Sequence, residues 1–81
     1  MSDLGVHDLL EVFGEVVDVS GLSLDECSVI GEDLPIESRE MLRVLSRIES
    51  RYRFRFEPRE LLRVKTLGDL VAAMRRHVGI A

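Results

Sequence analysis

The chain has no tryptophan, a single cysteine, two prolines and only 5% aromatic residues. The lone Cys27 excludes an internal disulfide and suits a reducing compartment. Its acidic neighbours disfavour a reactive thiolate and point to a partly buried thiol. No apolar run approaches membrane-spanning length. The segment Met1-Ser2-Asp3-Leu4-Gly5 lacks the basic and then apolar stretch of a secretory signal, so the expected location is the cytoplasm, away from membranes. His7 and His77 stand alone, with no cysteine or carboxylate spacing that suggests zinc. There is no phosphate-binding glycine loop and no dinucleotide fingerprint. No base is placed near a serine as a hydrolase requires. The sequence therefore names no catalytic residue and no metal ligand.

What is present is an 81-residue chain with 46% hydrophobic and 32% charged residues. Those proportions fit one small globular domain spanning residues 1–81, with a thin core. The net charge of −4 hides a split. Residues 1–40 carry eleven acidic side chains and one basic, whereas residues 41–81 carry four acidic and ten basic. Such asymmetry means either two faces with different partners or two halves that complement each other on folding.

Apolar spacing predicts four helices. Val6, Leu9, Leu10, Phe13, Val16 and Val17 share one face of a helix from about Asp3 to Val17, capped by Ser2 or Asp3. A long loop follows through Gly21 and Gly31 to Pro35, pinned to the core by Leu22, Leu24, Val29, Ile30 and Leu34. The second helix is expected from Ser38 to Ser50 or Arg51, burying Met41, Leu42, Leu45, Ile48 and Tyr52. Arg39, Arg43, Arg47 and Arg51 form a basic stripe beside that face. Arg51-Tyr52-Arg53-Phe54-Arg55-Phe56 alternates as strands do, but nothing pairs with it, so it reads as an extended connection with its aromatics on one side. Pro58 opens one or two helical turns. Thr66-Leu67-Gly68-Asp69 resembles a capping box that starts a last helix through about His77, with Leu67, Leu70, Val71 and Met74 inward.

The stretch Asp33-Leu34-Pro35-Ile36-Glu37-Ser38 places an aliphatic residue, a carboxylate and a serine where the second helix begins. Serine is a preferred N-cap, and that is the plain structural reading of Ser38. A hydroxyl at a helix start is also exposed, and the unpaired N–H groups and positive dipole end there favour an added anionic group.

The stretch resembles the attachment motif of the acyl carrier protein family, which includes peptidyl and aminoacyl carriers. That motif reads approximately Asp-Leu-Gly-hydrophobic-Asp-Ser-Leu. Tyr52, Phe56, Glu57-Pro58-Arg59-Glu60 and Thr66-Leu67 follow like the family's later elements, in order, and the resemblance extends from Leu4 to Val78. It implies an all-α four-helix carrier bundle with a long first loop and a short third helix. It also implies 4′-phosphopantetheine esterified to Ser38, with Glu37 flanking it, and cargo carried as a thioester. The carrier itself catalyses nothing. The implied partners are a phosphopantetheinyl transferase and the enzymes that load and transfer acyl or aminoacyl groups.

Two departures bear on partners. Pro35 stands where the family usually has glycine, which alters the loop entry. Arg39 replaces the aliphatic that normally follows the serine, and Arg39, Arg43 and Arg47 invert a face that is usually acidic. The expected partners therefore carry acidic docking patches, and the chain is expected to be a monomeric, specialised carrier rather than a client of housekeeping fatty-acid enzymes. The alternative is a non-catalytic interaction module, either an unmodified carrier fold or a small regulatory binder using its Arg-rich helix face. Nucleic acid is disfavoured by the net charge, although arginines interleave with aromatics over residues 51–56.

Overall fold

The computed structural model describes residues 4–78, which form four helices in the order α1 (Val6–Gly14), α2 (Ser38–Tyr52), α3 (Pro58–Leu61) and α4 (Leu67–Val78). The all-α expectation, with a long first loop and a short third helix, holds. α1 packs against both α2 and α4, and α3 against α4. Their shared core contains the fully buried Leu9, Val12 and Phe13 of α1, Val44 and Ile48 of α2, and Leu67, Leu70 and Ala73 of α4, with Met74 nearly so.

α1 is shorter than its apolar stripe suggests. The expected caps Ser2 and Asp3 lie outside the described residues. Within them the helix starts after Gly5, whose N–H donates to the Asp8 carboxylate at 2.9 Å. It ends at Gly14 because the Glu15 and Val16 N–H groups reach back three residues, to the carbonyls of Val12 and Phe13 at 3.0 Å each. That tightened turn, next to the β-branched pair Val16 and Val17, is a common way for a helix to stop.

α2 runs through Tyr52, so two residues of the strand-like alternation are helical. Arg53 closes the helix in the left-handed region at φ 60°, with its N–H on the Glu49 carbonyl. The chain then runs extended, and the Glu49 carboxylate accepts the Phe56 N–H at 2.8 Å. Tyr52 and Phe54 are half-buried and Phe56 is buried, as the alternation implied.

The buried face of α2 is rotated from the expected one. Val44 is fully buried, Leu45 only half-buried, and Leu42 is 67% exposed. Leu42 and Val44 lie about 200° apart around the helix, so only one of them can face the core.

The long loop is tied to the start of α4. Ile30 donates its N–H to the Lys65 carbonyl at 2.9 Å. Leu67 and Gly68 donate theirs to the carbonyls of Ser28 at 3.0 Å and Glu26 at 2.9 Å. Two of the N–H groups that a helix start leaves without partners are thus satisfied by loop backbone. Thr66 Oγ1 accepts the Asp69 N–H at 3.1 Å, and the Asp69 carboxylate accepts the N–H groups of Thr66 and Lys65 at 3.0 Å each, completing the expected capping box with aspartate. These bonds, the Thr66 N–H first, hold the Asp69 carboxyl below the usual aspartate value. A side chain at Gly68 would collide with the loop, since its Cβ would sit 2.9 Å from the Glu26 carbonyl oxygen.

Candidate functional site

The segment leading to Ser38 is built from its own sequence. Gly31, at φ 96°, allows a tight reversal that few side chains tolerate. Around it the Val29 carbonyl accepts the Asp33 N–H at 2.9 Å, and the Asp33 carboxylate returns to the Val29 N–H at 2.7 Å. Asp33 therefore clamps a turn. Leu34 is fully buried, and Ile36 is half-buried against the core. Pro35, between them, is exposed and needs no N–H partner. Two aliphatic anchors on either side of a rigid residue set the direction from which the chain enters α2.

Ser38 is not the N-cap. Glu37 takes that position, in extended geometry, and donates its N–H to the Glu40 carboxylate at 2.9 Å. The first intrahelical bond runs from the Met41 N–H to the Glu37 carbonyl at 2.8 Å, so the N–H groups of Ser38, Arg39 and Glu40 precede the ladder. Ser38 is the first helical residue, exposed, and its hydroxyl has no hydrogen bond among the described residues. Glu37 beside it is exposed as well. A hydroxyl with no structural bond, at the positive end of a 15-residue helix, is free to react and is placed where an anionic substituent is favoured.

The basic stripe of α2 splits in two. Arg47 and Arg51 both reach Glu15, just beyond the end of α1, at 3.1 and 2.5 Å. The Arg51 hydrogen bond first, then the charges of both guanidinium groups, hold the Glu15 carboxyl below its ordinary value. Arg39 and Arg43 are exposed, and no carboxylate pairs with them among the described residues. Sequence reasoning placed Arg39, Arg43 and Arg47 on one face; the structure leaves the first two free and commits the third. Glu15 was missed, because nothing in its spacing marks it as a partner of residues over thirty positions away.

His77, isolated in sequence, lies in a cluster between α3 and α4. Its ring stacks on Phe54 at 4.9 Å with the planes 3° apart, and its Nε2 meets the Glu60 carboxylate. Burial pushes the Glu60 carboxyl up, but the Glu57 N–H, His77 and Arg76 outweigh it and the pKa lies below the usual value. The Glu60 side chain is only 12% exposed and also accepts the Glu57 N–H at 3.0 Å, so the cluster fastens α3 to α4. His7 is exposed on α1. Cys27, expected to be partly buried, is exposed; its neighbour Ser28 is the buried residue, bonded to the Asp25 N–H at 2.8 Å. No helix among the described residues is long and apolar enough to cross a membrane.

A family model described as the phosphopantetheine attachment site matches residues 7–74. The chain belongs to this family of phosphopantetheine-bearing carrier domains, consistent with the acyl carrier protein resemblance. No curated protein and no solved structure matches the chain. The family's prosthetic group is 4′-phosphopantetheine. The residues at the start of α2 fit it: an exposed hydroxyl and two exposed cations in the first two turns, none of them bonded or paired among the described residues, and N–H groups ahead of the helical ladder. Carrier domains of this family are generally non-catalytic, and they interact with phosphopantetheinyl transferases and acyl-handling enzymes.

Proposed function

We propose that Ser38 is the attachment point, flanked by Glu37, and that the chain is a stand-alone, specialised carrier of acyl or aminoacyl intermediates. The observation that carries this reading is the Ser38 hydroxyl: exposed, without a hydrogen bond among the described residues, and first in α2. In the loading step, Ser38 Oγ bonds to the pantetheine-side phosphorus of coenzyme A. The P–O bond of the pyrophosphate breaks and 3′,5′-ADP leaves. The hydroxyl proton passes to a base on the transferase. The phosphodiester keeps one negative charge, which the N-terminus of α2 favours by about 0.3–1 kcal/mol. When bound, the group supplies a thiol on which cargo is held as a thioester. The protein's own part is to fix the serine, through Leu34 and Ile36 before it and Val44 and Ile48 after it.

On this reading residues 1–81 act as one monomeric cytoplasmic domain that meets loading and transfer enzymes through acidic patches on those enzymes. Intact mass after co-expression with a broad-specificity phosphopantetheinyl transferase tests it. The wild type should gain one phosphopantetheine, and Ser38→Ala none. A Ser38→Ala chain labelled as well as the wild type rules out this serine. A wild type that stays unmodified with every transferase tried favours the alternative, an unmodified carrier fold acting as an interaction module.

A further inference from the structure

We infer that Glu40 is a positioning residue: by accepting the Glu37 N–H it sets where α2 starts, and so keeps the Ser38 hydroxyl out of the helix cap and open to loading. This rests on Ser38 as the attachment point. Two candidate caps follow one another here. Serine belongs to the small group of residues that cap a helix well, and glutamate does not. On that preference alone α2 would begin one residue later, with Ser38 as the cap and its Oγ accepting the N–H of Glu40 or Met41. The hydroxyl would then be tied to backbone. The structure takes the other start. Glu37 is the cap, the Met41 N–H lies on the Glu37 carbonyl at 2.8 Å, and Ser38 is already helical.

The same bond marks every helix start in the chain. A carboxylate three residues beyond the cap accepts the cap N–H: Asp8 from Gly5 at 2.9 Å, Glu40 from Glu37 at 2.9 Å, Glu60 from Glu57 at 3.0 Å and Asp69 from Thr66 at 3.0 Å. Counted from Ser38, the third residue is Met41, whose side chain packs against the core and carries no carboxylate. Only a start at Glu37 gains the bond. An ionised acceptor makes a hydrogen bond about twice as strong as a neutral one. The Glu40 bond therefore outweighs the neutral bond that a serine cap would make. Glu40 is half-buried, so its side chain lies along the helix start rather than out in solvent.

The test compares the full wild-type chain with Glu40→Ala and Glu40→Gln, after circular dichroism has confirmed that each is folded. The helix start is read first, by NMR, with no transferase present. In the wild type and Glu40→Gln, Ser38 should show helical Cα and Cβ shifts, and the Glu37 N–H should be protected from exchange. In Glu40→Ala the Ser38 shifts should move to extended values and that protection should be lost, because a capping residue is not helical. Loading is then followed with a broad-specificity phosphopantetheinyl transferase and coenzyme A. Only chains with a free hydroxyl are loaded, so the apparent affinity falls with their fraction. Glu40→Ala should raise the KM for the carrier roughly fivefold and leave kcat nearly unchanged. Glu40→Gln keeps the acceptor and drops the charge, so it should restore the wild-type KM. A contact between the Glu40 charge and the transferase would instead be lost in both variants alike. The inference is overturned if Glu40→Ala keeps the helical Ser38 shifts and the Glu37 protection, if it is loaded with the wild-type KM, or if Glu40→Gln is as poor as Glu40→Ala. A wild type that is never loaded sinks Ser38 as the attachment point and the loading role with it, whereas the NMR comparison still decides where α2 starts.

Discussion

Replacing Gly68 by alanine separates two ways of reasoning about this chain. Judged by helix propensity, Gly68→Ala in α4 should stabilise, by up to about 1 kcal/mol. The structure reverses the sign. An alanine Cβ would sit 2.9 Å from the Glu26 carbonyl oxygen and 3.1 Å from Glu26 Cβ. That oxygen is backbone, and it already holds the Gly68 N–H at 2.9 Å, so it cannot turn aside as a side chain can. The loop must retreat from α4, straining both this bond and the 3.0 Å bond from Leu67 to Ser28. Overpacking of this kind costs about 1–3 kcal/mol. Less a propensity gain of about 1 kcal/mol, a net loss of up to about 2 kcal/mol is expected, lowering Tm by up to roughly 16 °C for a domain of this size. Urea unfolding followed by circular dichroism measures it, with an unchanged slope as the sign that the denatured state is not involved. Gly14→Ala is the control, since its Cβ would meet Val19 only at an ordinary 3.6 Å; it should be neutral or mildly stabilising. A Gly68→Ala chain with a raised midpoint would refute the contact between loop and helix.

Ile48→Ala, at a fully buried position, should cost about 2–5 kcal/mol, whereas Leu42→Ala should stay within about 0.5 kcal/mol. Equal losses in urea titrations would mean that the face of α2 is misassigned. Ser38→Ala should also change stability by no more than about 0.5 kcal/mol while abolishing loading, because the hydroxyl caps nothing; a loss near that of an N-cap would contradict the Glu37 assignment. Glu15, Glu60 and Asp69 all have lowered carboxyl pKa values in the fold. As pH falls the unfolded chain takes up their protons first, so their contribution is full above the ordinary carboxylate range and is lost as pH drops through the lowered folded values. Urea midpoints measured from neutral into the acid range should fall there, and less steeply for Glu60→Gln; a midpoint that is flat below about pH 4 speaks against these pairs.

The elements with strong local signals were legible. Pro58 at a first helical position, Thr66 and Asp69 as a capping box, and Leu67, Leu70, Val71 and Met74 as an inward stripe all follow from rules acting within four residues. What was not legible depends on the direction of approach of distant segments. Leu42 and Val44 are both apolar, and their choice of side is made by α1 and α4. Asp33 reads as a motif residue, yet its carboxylate holds the turn at Val29. Ser38 reads as a cap because serine caps well, but Glu40 closes the helix start by way of Glu37 and leaves the serine one position further in. At the site itself, the position of Ser38 was readable and its bonding was not.

The two free arginines sit on a chain whose sum of charges is −4. Beyond a Debye length, about 8 Å at physiological salt, both that sum and the patch are largely screened, so an approaching body responds to whichever charges lie on the side it nears. If the partner is acidic, as proposed, it is repelled over the acidic parts of the surface and attracted over the face that bears Arg39 and Arg43. For such a partner the opposed local fields act as an angular filter: fewer encounters, but a larger share of them already turned the right way. On an ion exchanger the same molecule behaves as an anion, although Arg39 and Arg43 stand exposed beside Ser38.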